Sequence, residues 1–155
     1  MTGQTAAKRA CREIFAFGLR NPYRIAHDPN VAGVRLFIND VGQNTWEEID
    51  RGVKGANYGW PRREGPCNQG KTGKKQCGKP PRAFMNPVHS YRHTTGCRSI
   101  TGGAFVPNNA GWPALYRGDY LFADFICGTI FRLEKRGRRF TRHIFASNAG
   151  GVTHL

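Results

Sequence analysis

The 155-residue sequence has few acidic residues and no long apolar run. Asp and Glu together number 10 against 24 Lys and Arg, which gives a formal net charge of +14 at pH 7. The basic residues are spread over predicted turns, without a basic helix or a recognisable nucleic-acid module, so a solvated basic surface is favoured over a nucleic-acid site. The surface would still permit a glycan or another acidic partner. Without an apolar run of membrane-spanning length, membrane insertion is not expected.

The sequence also lacks Cys-x-x-Cys pairs and Cys/His clusters with metal-ligand spacing, so its five cysteines are not expected to bind zinc. Cys67 and Cys77 flank a polar loop with little to bury, and we expect a disulfide to close it. A second bridge is predicted between Cys97 and Cys127, which leaves Cys11 as the odd cysteine. Disulfides predict an oxidising compartment, and therefore a secreted, extracellular or periplasmic protein.

The 20 Gly and 9 Pro residues separate short β-branched and aromatic runs, which predicts an all-β fold built from many short strands. The runs form two successive units of four antiparallel strands each, a pattern typical of β-propeller blades. The sequence therefore predicts a partial propeller of roughly two to three blades over residues 13–155, after a polar lead-in or blade remnant over residues 1–12. The predicted strands cover residues 13–18, 23–27, 35–39 and 47–53 in the first unit, and 99–106, 119–124, 129–134 and 139–145 in the second.

A long turn-rich stretch, residues 54–96, separates the two units. It contains the Cys67–Cys77 loop and is too long for a simple connection. We interpret it as a decorated loop that joins one blade to the next.

The segment Gly18-Leu19-Arg20-Asn21-Pro22 lies at the end of a predicted strand. Pro22 restricts the backbone, so that the Arg20 guanidinium and the Asn21 carboxamide can point toward one ligand. This pair suits a planar ligand rich in carboxylates. The alternative is a structural turn in which Arg20 bridges loops.

The segment from Asp40 to Ile49 joins a Gly-containing loop to the carboxylates of Glu47 and Glu48. Loop carbonyls with nearby carboxylates suit a hard cation such as calcium, although the spacing is not that of an EF-hand. In Asn57-Tyr58-Gly59-Trp60, two aromatic rings could stack on a sugar, but packing between blades is favoured. The histidines lack metal-binding spacing and a paired Ser or Cys motif, so a nucleophilic hydrolase has no support.

In this order, the motifs at residues 18–22, 40–50 and 57–60 resemble those of the soluble glucose/sorbosone dehydrogenase family. The stretches 96–103 and 118–124 are similar to its secreted bacterial branch and to hedgehog-interacting-protein-like proteins. The resemblance runs from about Glu13 almost to Leu155. It implies a six-bladed β-propeller, of which this chain would be a fragment from the C-terminal half.

The resemblance also implies cofactors and a reaction. An aldose or related sugar would be oxidised by hydride transfer to pyrroloquinoline quinone (PQQ), with calcium as Lewis acid. The histidine base would belong to an earlier blade, so no catalytic residue is predicted within this sequence. The implied contacts are Arg20 and Asn21 with the quinone, the backbone carbonyls of Gly42 and Gln43 with the calcium beside it, and Glu48 and Tyr58 with a further calcium.

The sequence departs from the family pattern at three positions. Asn108 and Cys127 stand where basic residues that contact the quinone are expected, which leaves fewer cations for its carboxylates. Gln43 replaces a proline associated with sugar-oxidising members, a change that a backbone carbonyl ligand survives. The alternative function is therefore a non-catalytic extracellular propeller that binds a protein or a glycan.

Overall fold

The computed structural model describes residues 13–155 apart from Thr95, Ala110 and Arg138. The lead-in over residues 1–12, including Cys11, lies outside the described residues. The described part is built from ten β-strands and two 3₁₀ turns, and it contains no α-helix. The strands are β1 (Pro22–His27), β2 (Leu36–Asp40), β3 (Trp46–Gly52), β4 (Arg63–Glu64), β5 (Cys67–Asn68), β6 (His89–Arg92), β7 (Ile100–Phe105), β8 (Tyr120–Asp124), β9 (Thr129–Arg136) and β10 (Arg139–Ala146); the 3₁₀ turns are Lys74–Gln76 and Ala114–Tyr116.

Two antiparallel four-stranded sheets carry the fold. Their strand orders are β1-β2-β3-β6 and β7-β8-β9-β10, and a small hairpin pairs β4 with β5. The first strands of the two sheets, β1 and β7, pack against each other. Neighbouring propeller blades meet in this way along their inner strands, so the predicted all-β, partial propeller is confirmed, with two blades described.

The core between the two blades is aromatic. The Phe37 ring of the first sheet lies 4.8 Å from that of Phe105 and 5.0 Å from that of Tyr120, measured between centroids. Asn39 adds a polar link, because its Nδ2 donates to the carbonyl of Thr101 and its Oδ1 accepts from the Tyr120 hydroxyl at 2.9 Å. Apolar burial and satisfied polar groups together fix one blade against the other.

The second unit matches its four predicted strands, but the first unit differs in two of its parts. Residues 13–18 form no sheet strand; Phe17 instead makes an isolated parallel bridge with Asn57. The fourth strand is β6, inside the stretch interpreted as a loop between blades. Residues 53–88 are therefore an insertion within the first blade. The prediction was wrong because β6 is short and polar, and its pairing with β3 is not visible in its own sequence.

Both predicted disulfides are present, Cys67–Cys77 and Cys97–Cys127. The first closes the polar loop after β5 and the second joins the start of β7 to the turn after β8. They agree with the expected oxidising compartment. Among the described residues, no helix has the length and apolar character needed to cross a bilayer.

Candidate functional site

The first and third sequence motifs are hydrogen-bonded to each other. The N–H of Tyr58 donates to the carbonyl of Phe17 at 3.0 Å, and the N–H of Trp60 donates to that of Gly18 at 2.8 Å. Gly18 has a φ of 76°, and a Cβ atom there would lie 2.3 Å from Oδ1 of Asn57. Glycine is therefore required where the two segments cross.

The carboxylate of Asp40, at the end of β2, holds the turn that carries Arg20 and Asn21. Its Oδ2 accepts the N–H of Arg20 at 2.9 Å, and its Oδ1 accepts the N–H of Asn21 at 2.6 Å. Burial raises the pKa of Asp40, against the lowering effect of these two hydrogen bonds. The Asn21 side chain itself is exposed.

The Arg20 guanidinium, which belongs to the first motif, contacts the other two motifs. Nη1 donates to the carbonyl of Val41 at 2.9 Å, Nε donates to Oε1 of Gln43 at 2.6 Å, and the group lies 5.9 Å from the centre of the Trp60 ring. Arg20 thus bridges loops, as the structural alternative predicted. It is also only half-buried, and these contacts hold its planar cation in one orientation beside the Gly42 loop.

The loop over residues 42–46 is organised by Glu64. Its Oε1 accepts the N–H groups of residues 43, 44, 45 and 46 at 2.8 to 3.1 Å. The C=O and N–H of a trans peptide point in opposite directions, and the peptides of this loop are trans. The carbonyls of Gly42 and Gln43 therefore point away from Glu64. These backbone oxygens are of the kind that a hard cation binds.

Glu64 is ionised because of this arrangement. Burial alone would disfavour its charge, but the converging N–H groups lower its pKa below the ordinary value. Glu64 is not predicted from the sequence, since it lies on the two-residue strand β4 within the turn-rich stretch. No local pattern there indicates its contact with a loop some twenty residues away.

A second group of carboxylates lies on one face of β3. Glu48 and Asp50 share that face because side chains alternate along a strand. Glu48 accepts the N–H of Gly65 at 2.5 Å, and burial, with nearby Asp40 and Glu64, raises its pKa to about 8. Asp50 is fully buried, and neither of its oxygens has a hydrogen-bond partner among the described residues.

Asp50 lies between the two residues expected to bind the further calcium. Its pKa is raised well above the ordinary value, mainly by burial and then by the charge of Glu48. Burial, with a contribution from Asp50, raises the pKa of Tyr58, whose hydroxyl donates to the carbonyl of Arg51 at 2.6 Å. A buried carboxylate without a partner is costly, and a bound cation would satisfy it. The donor set fits calcium, and the strand alternation from Glu48 could have indicated Asp50.

Glu47 points from the opposite face of β3 and links the loop to the second blade. Its Oε2 accepts the N–H of Ile100 on β7 at 3.0 Å and that of Gly42 at 3.4 Å, while Oε1 lies 2.7 Å from Nε2 of His93. Burial raises the pKa of Glu47 to about 8. The position of Gly42 thus depends on both blades.

Two of the three departures from the family pattern, Asn108 and Cys127, lie at opposite ends of the blades. Asn108 lies at the end of the blades far from Arg20, where its N–H donates to Oδ1 of Asn30 at 2.7 Å. β7 runs from the site at Ile100 to the opposite end, so Asn108 is not next to Arg20, and its place among the quinone contacts stays a prediction. Cys127 lies at the site end, and its disulfide leaves neither a thiol nor a cation there.

The described residues contain one tight group of side chains of metal-binding type, namely Cys97, Asp124 and Cys127. Both sulfur atoms are in the disulfide, and Asp124 accepts hydrogen bonds from the Tyr91 hydroxyl at 2.7 Å and the N–H of Ser99 at 2.8 Å. This group therefore stabilises the fold through a disulfide and hydrogen bonds. The calcium-type donors are the more widely spaced oxygens around Gly42 and Asp50.

Comparison with known families accounts for the motifs and the fold together. The family model described as glucose/sorbosone dehydrogenase matches residues 3–151. The chain belongs to this family. The match includes all three motifs, both blades and the loop over residues 42–46.

Relatives of the chain include the HIPL2 and HIPL1 proteins of Arabidopsis thaliana. Each is 38% identical over 120 residues, which is 72% of this chain but 16% and 17% of those proteins. Quinoprotein glucose dehydrogenase B of Acinetobacter calcoaceticus is 44% identical over 48 residues, covering 31% of this chain and 9% of that protein. The chain therefore spans a small part of each relative.

Solved structures of similar fold include the PQQ-bound aldose sugar dehydrogenase of Streptomyces coelicolor. It aligns with a TM-score of 0.66 and 24% identity over 91% of this chain and 35% of that one. The soluble aldose sugar dehydrogenase of Escherichia coli, in its apo form, aligns with a TM-score of 0.64 and 24% identity over 85% of this chain and 36% of that one. At these identities the likeness supports the propeller fold alone.

Proposed function

We propose that the chain forms part of the cofactor-binding site of a PQQ- and calcium-dependent dehydrogenase that oxidises an aldose or related sugar. The observation that carries the proposal is the loop over residues 42–46, where the N–H groups of residues 43–46 converge on Glu64 and the Gly42 and Gln43 carbonyls point the other way. Arg20 contacts the same loop through Gln43, so the proposed calcium ligands would lie near its planar cation. The disulfides further support a secreted protein.

Arg20 and Asn21 would bind the quinone. The Arg20 guanidinium is oriented by Val41, Gln43 and Trp60, so little side-chain freedom is lost when it pairs with a carboxylate. The Asn21 carboxamide is exposed beside it and offers both a donor and an acceptor.

Two cation positions follow from the donors. The carbonyls of Gly42 and Gln43 would hold calcium beside the quinone, where its charge would favour reduction. Glu48, Asp50 and Tyr58 would hold a second calcium that neutralises buried carboxylates and fixes β3 beneath the loop. When bound, the quinone accepts the two electrons that the sugar loses as it becomes a lactone.

A non-catalytic extracellular propeller that binds a protein or a glycan is the second candidate. The observation in its favour is the Cys97–Cys127 disulfide, which occupies the site end of the second blade where the family resemblance implies a cation. A site with fewer cations would hold the quinone carboxylates less tightly.

The test is a titration of PQQ into the complete protein with calcium or with EDTA, followed by dye reduction with a panel of aldoses. We expect calcium-dependent quinone binding and turnover with at least one sugar. Arg20→Ala should weaken quinone binding at least about tenfold, since a charge-assisted contact is lost. Arg139→Ala, which removes an exposed arginine of β10, is the matched control and should bind normally.

Binding of PQQ without turnover would restrict the proposal to cofactor binding. If the folded protein does not bind the quinone at all, the dehydrogenase proposal is rejected and the second candidate takes its place.

A further inference from the structure

We propose that the exposed rim of the loop over residues 42–46 binds an acidic saccharide, one that carries carboxylate or sulfate groups. The rim carries four cationic residues, Arg20, Lys71, Arg92 and Arg98, and we call this set the cationic collar. Its members come from four separate segments of the chain, which the fold brings to one loop.

Arg20 and Arg92 contact the loop through their side chains, and Lys71 contacts it through its backbone. Arg20 donates to Gln43, and the carbonyl of Lys71 accepts from Nε1 of Trp46 at 3.2 Å. The Arg92 guanidinium lies 5.9 Å from the centre of the Trp46 ring, on the strand position that pairs with Trp46.

The chain next to Arg98 is held beside the same loop, because Glu47 accepts the N–H groups of both Gly42 and Ile100 and also contacts His93. The N–H of His93 donates to the carbonyl of Thr45 at 3.1 Å. Burial lowers the pKa of His93, and Arg98 lies close enough to add to that effect. Arg98 itself is exposed, two residues before the Ile100 N–H that donates to Glu47.

The collar has no acidic counterpart on the surface. Eight of the ten acidic side chains are buried, and every acidic residue lies in the described part of the chain. No Asp or Glu occurs between Gly65 and Gly118, and no collar cation is ion-paired within the described residues. The buried acids are Asp28, Asp40, Glu47, Glu48, Asp50, Glu64, Asp119 and Asp124.

This separation of charge has a consequence for recognition. Cations with nearby surface carboxylates neutralise one another, whereas the collar leaves its positive charge available to an anion. The Trp46 and Trp60 rings each support a guanidinium group, which reduces the freedom that Arg92 and Arg20 lose on binding.

The polar side chains at the centre of the collar favour a saccharide as the anionic ligand. Gln43 and Asn44 are exposed at the tip of the loop, and their carboxamides can donate to and accept from sugar hydroxyls. Arginine and lysine around them would pair with the acidic groups. The choice of a saccharide over an acidic protein rests on the proposed function, because the loop is also the candidate cofactor loop.

The experiment measures binding of polygalacturonate, neutral dextran and polyglutamate to the complete protein at near-physiological salt, without quinone. We compare Arg92→Gln/Arg98→Gln with Lys135→Gln/Arg139→Gln, which removes the same charge from the β9–β10 hairpin. Polygalacturonate should bind, dextran should not, and the collar variant should bind about tenfold more weakly with a shallower salt dependence. The hairpin variant should change affinity less than about twofold.

Three results would overturn the inference. One is the absence of polygalacturonate binding, and another is an equal loss in both variants, which would mean that overall charge is responsible. The third is polyglutamate binding as tight as that of polygalacturonate with the same loss in the collar variant, which would identify an acidic polypeptide as the partner. Because no quinone is present, failure of the dehydrogenase proposal leaves this binding result unaffected.

Discussion

A Cβ atom on Gly42 would lie 1.5 Å from the carbonyl oxygen of Trp46. Backbone cannot yield there as a flexible side chain can, so Gly42→Ala must displace the loop. We expect the free energy of unfolding to fall by about 2 to 4 kcal/mol and calcium affinity to fall with it. Urea unfolding and calcium titration measure both effects.

The control for this change is Gly73→Ala. Gly73 has a φ of −75°, and the nearest atom to its added Cβ would be the side-chain oxygen of Gln76 at 3.1 Å. We expect its stability to change by less than about 0.5 kcal/mol. Similar losses in the two variants would contradict the role given to Gly42.

Glu64→Gln tests the carboxylate beneath the loop. The substitution keeps the shape of the side chain but removes the charge that strengthens four N–H contacts. We expect a loss of about 2 kcal/mol in unfolding free energy at pH 7. Glu13→Gln removes an exposed carboxylate and should change little.

The difference between wild type and Glu64→Gln should also depend on pH. Because the folded protein lowers the pKa of Glu64, its ionised form stabilises the fold above the ordinary glutamate pKa. That contribution is lost as the pH falls through the lowered pKa. A difference that persists unchanged in acid would show that the charge of Glu64 is not its source.

Sequence patterns predicted the parts of this fold that apolar runs define. Strands β2 and β8 are central in their sheets and mostly buried, so their composition alone indicates them. The edge strand β6 is polar except for Tyr91, and residues 13–18 are a suitable strand sequence without a sheet partner. Whether each segment became a strand depended on a neighbouring strand to pair with, and strand pairing is a property of the tertiary fold.

In the candidate site, too, local sequence patterns predicted some residues, whereas residues that act through tertiary contacts were missed. The three motifs are near one another because residues 18–22 and 57–60 bond through backbone groups that any sequence carries. Glu64 was missed because its contacts with residues 43–46 span 18 to 21 residues. The contact of Glu47 with the other blade was missed because Ile100 lies 53 residues away in the sequence. Asp50 could have been predicted from the sequence. It lies two residues after Glu48 on β3, and side chains two residues apart on a strand share a face.

Calcium should change the pH dependence of stability. The folded protein raises the pKa of Glu47 and of Glu48 to about 8. In EDTA the folded state therefore holds more protons than the unfolded state between the ordinary glutamate pKa and about 8, so stability falls as pH rises through that window. Calcium at the proposed site would bind Glu48 in its deprotonated form, and it should reduce this fall in Tm measured from pH 5 to pH 8.

Asp50→Asn separates calcium binding from general charge effects. Removing the unpartnered buried carboxylate relieves its repulsion with Glu48, so the variant in EDTA should be as stable as wild type or more stable at pH 8. Its gain in Tm with calcium should shrink. An undiminished gain would mean that calcium binds without Asp50.

The two disulfides should differ in their contribution to stability. They join residues separated by 10 positions in Cys67–Cys77 and by 30 in Cys97–Cys127. Closing the longer loop removes more freedom from the unfolded chain, so Cys97→Ala/Cys127→Ala should cost about 3 to 4 kcal/mol. Cys67→Ala/Cys77→Ala should cost about 2 to 3 kcal/mol by the same reasoning. Urea unfolding of the two double variants gives the comparison. A larger loss from Cys67→Ala/Cys77→Ala would show that its loop also contributes through native contacts, such as the hydrogen bond from Trp46 to the Lys71 carbonyl.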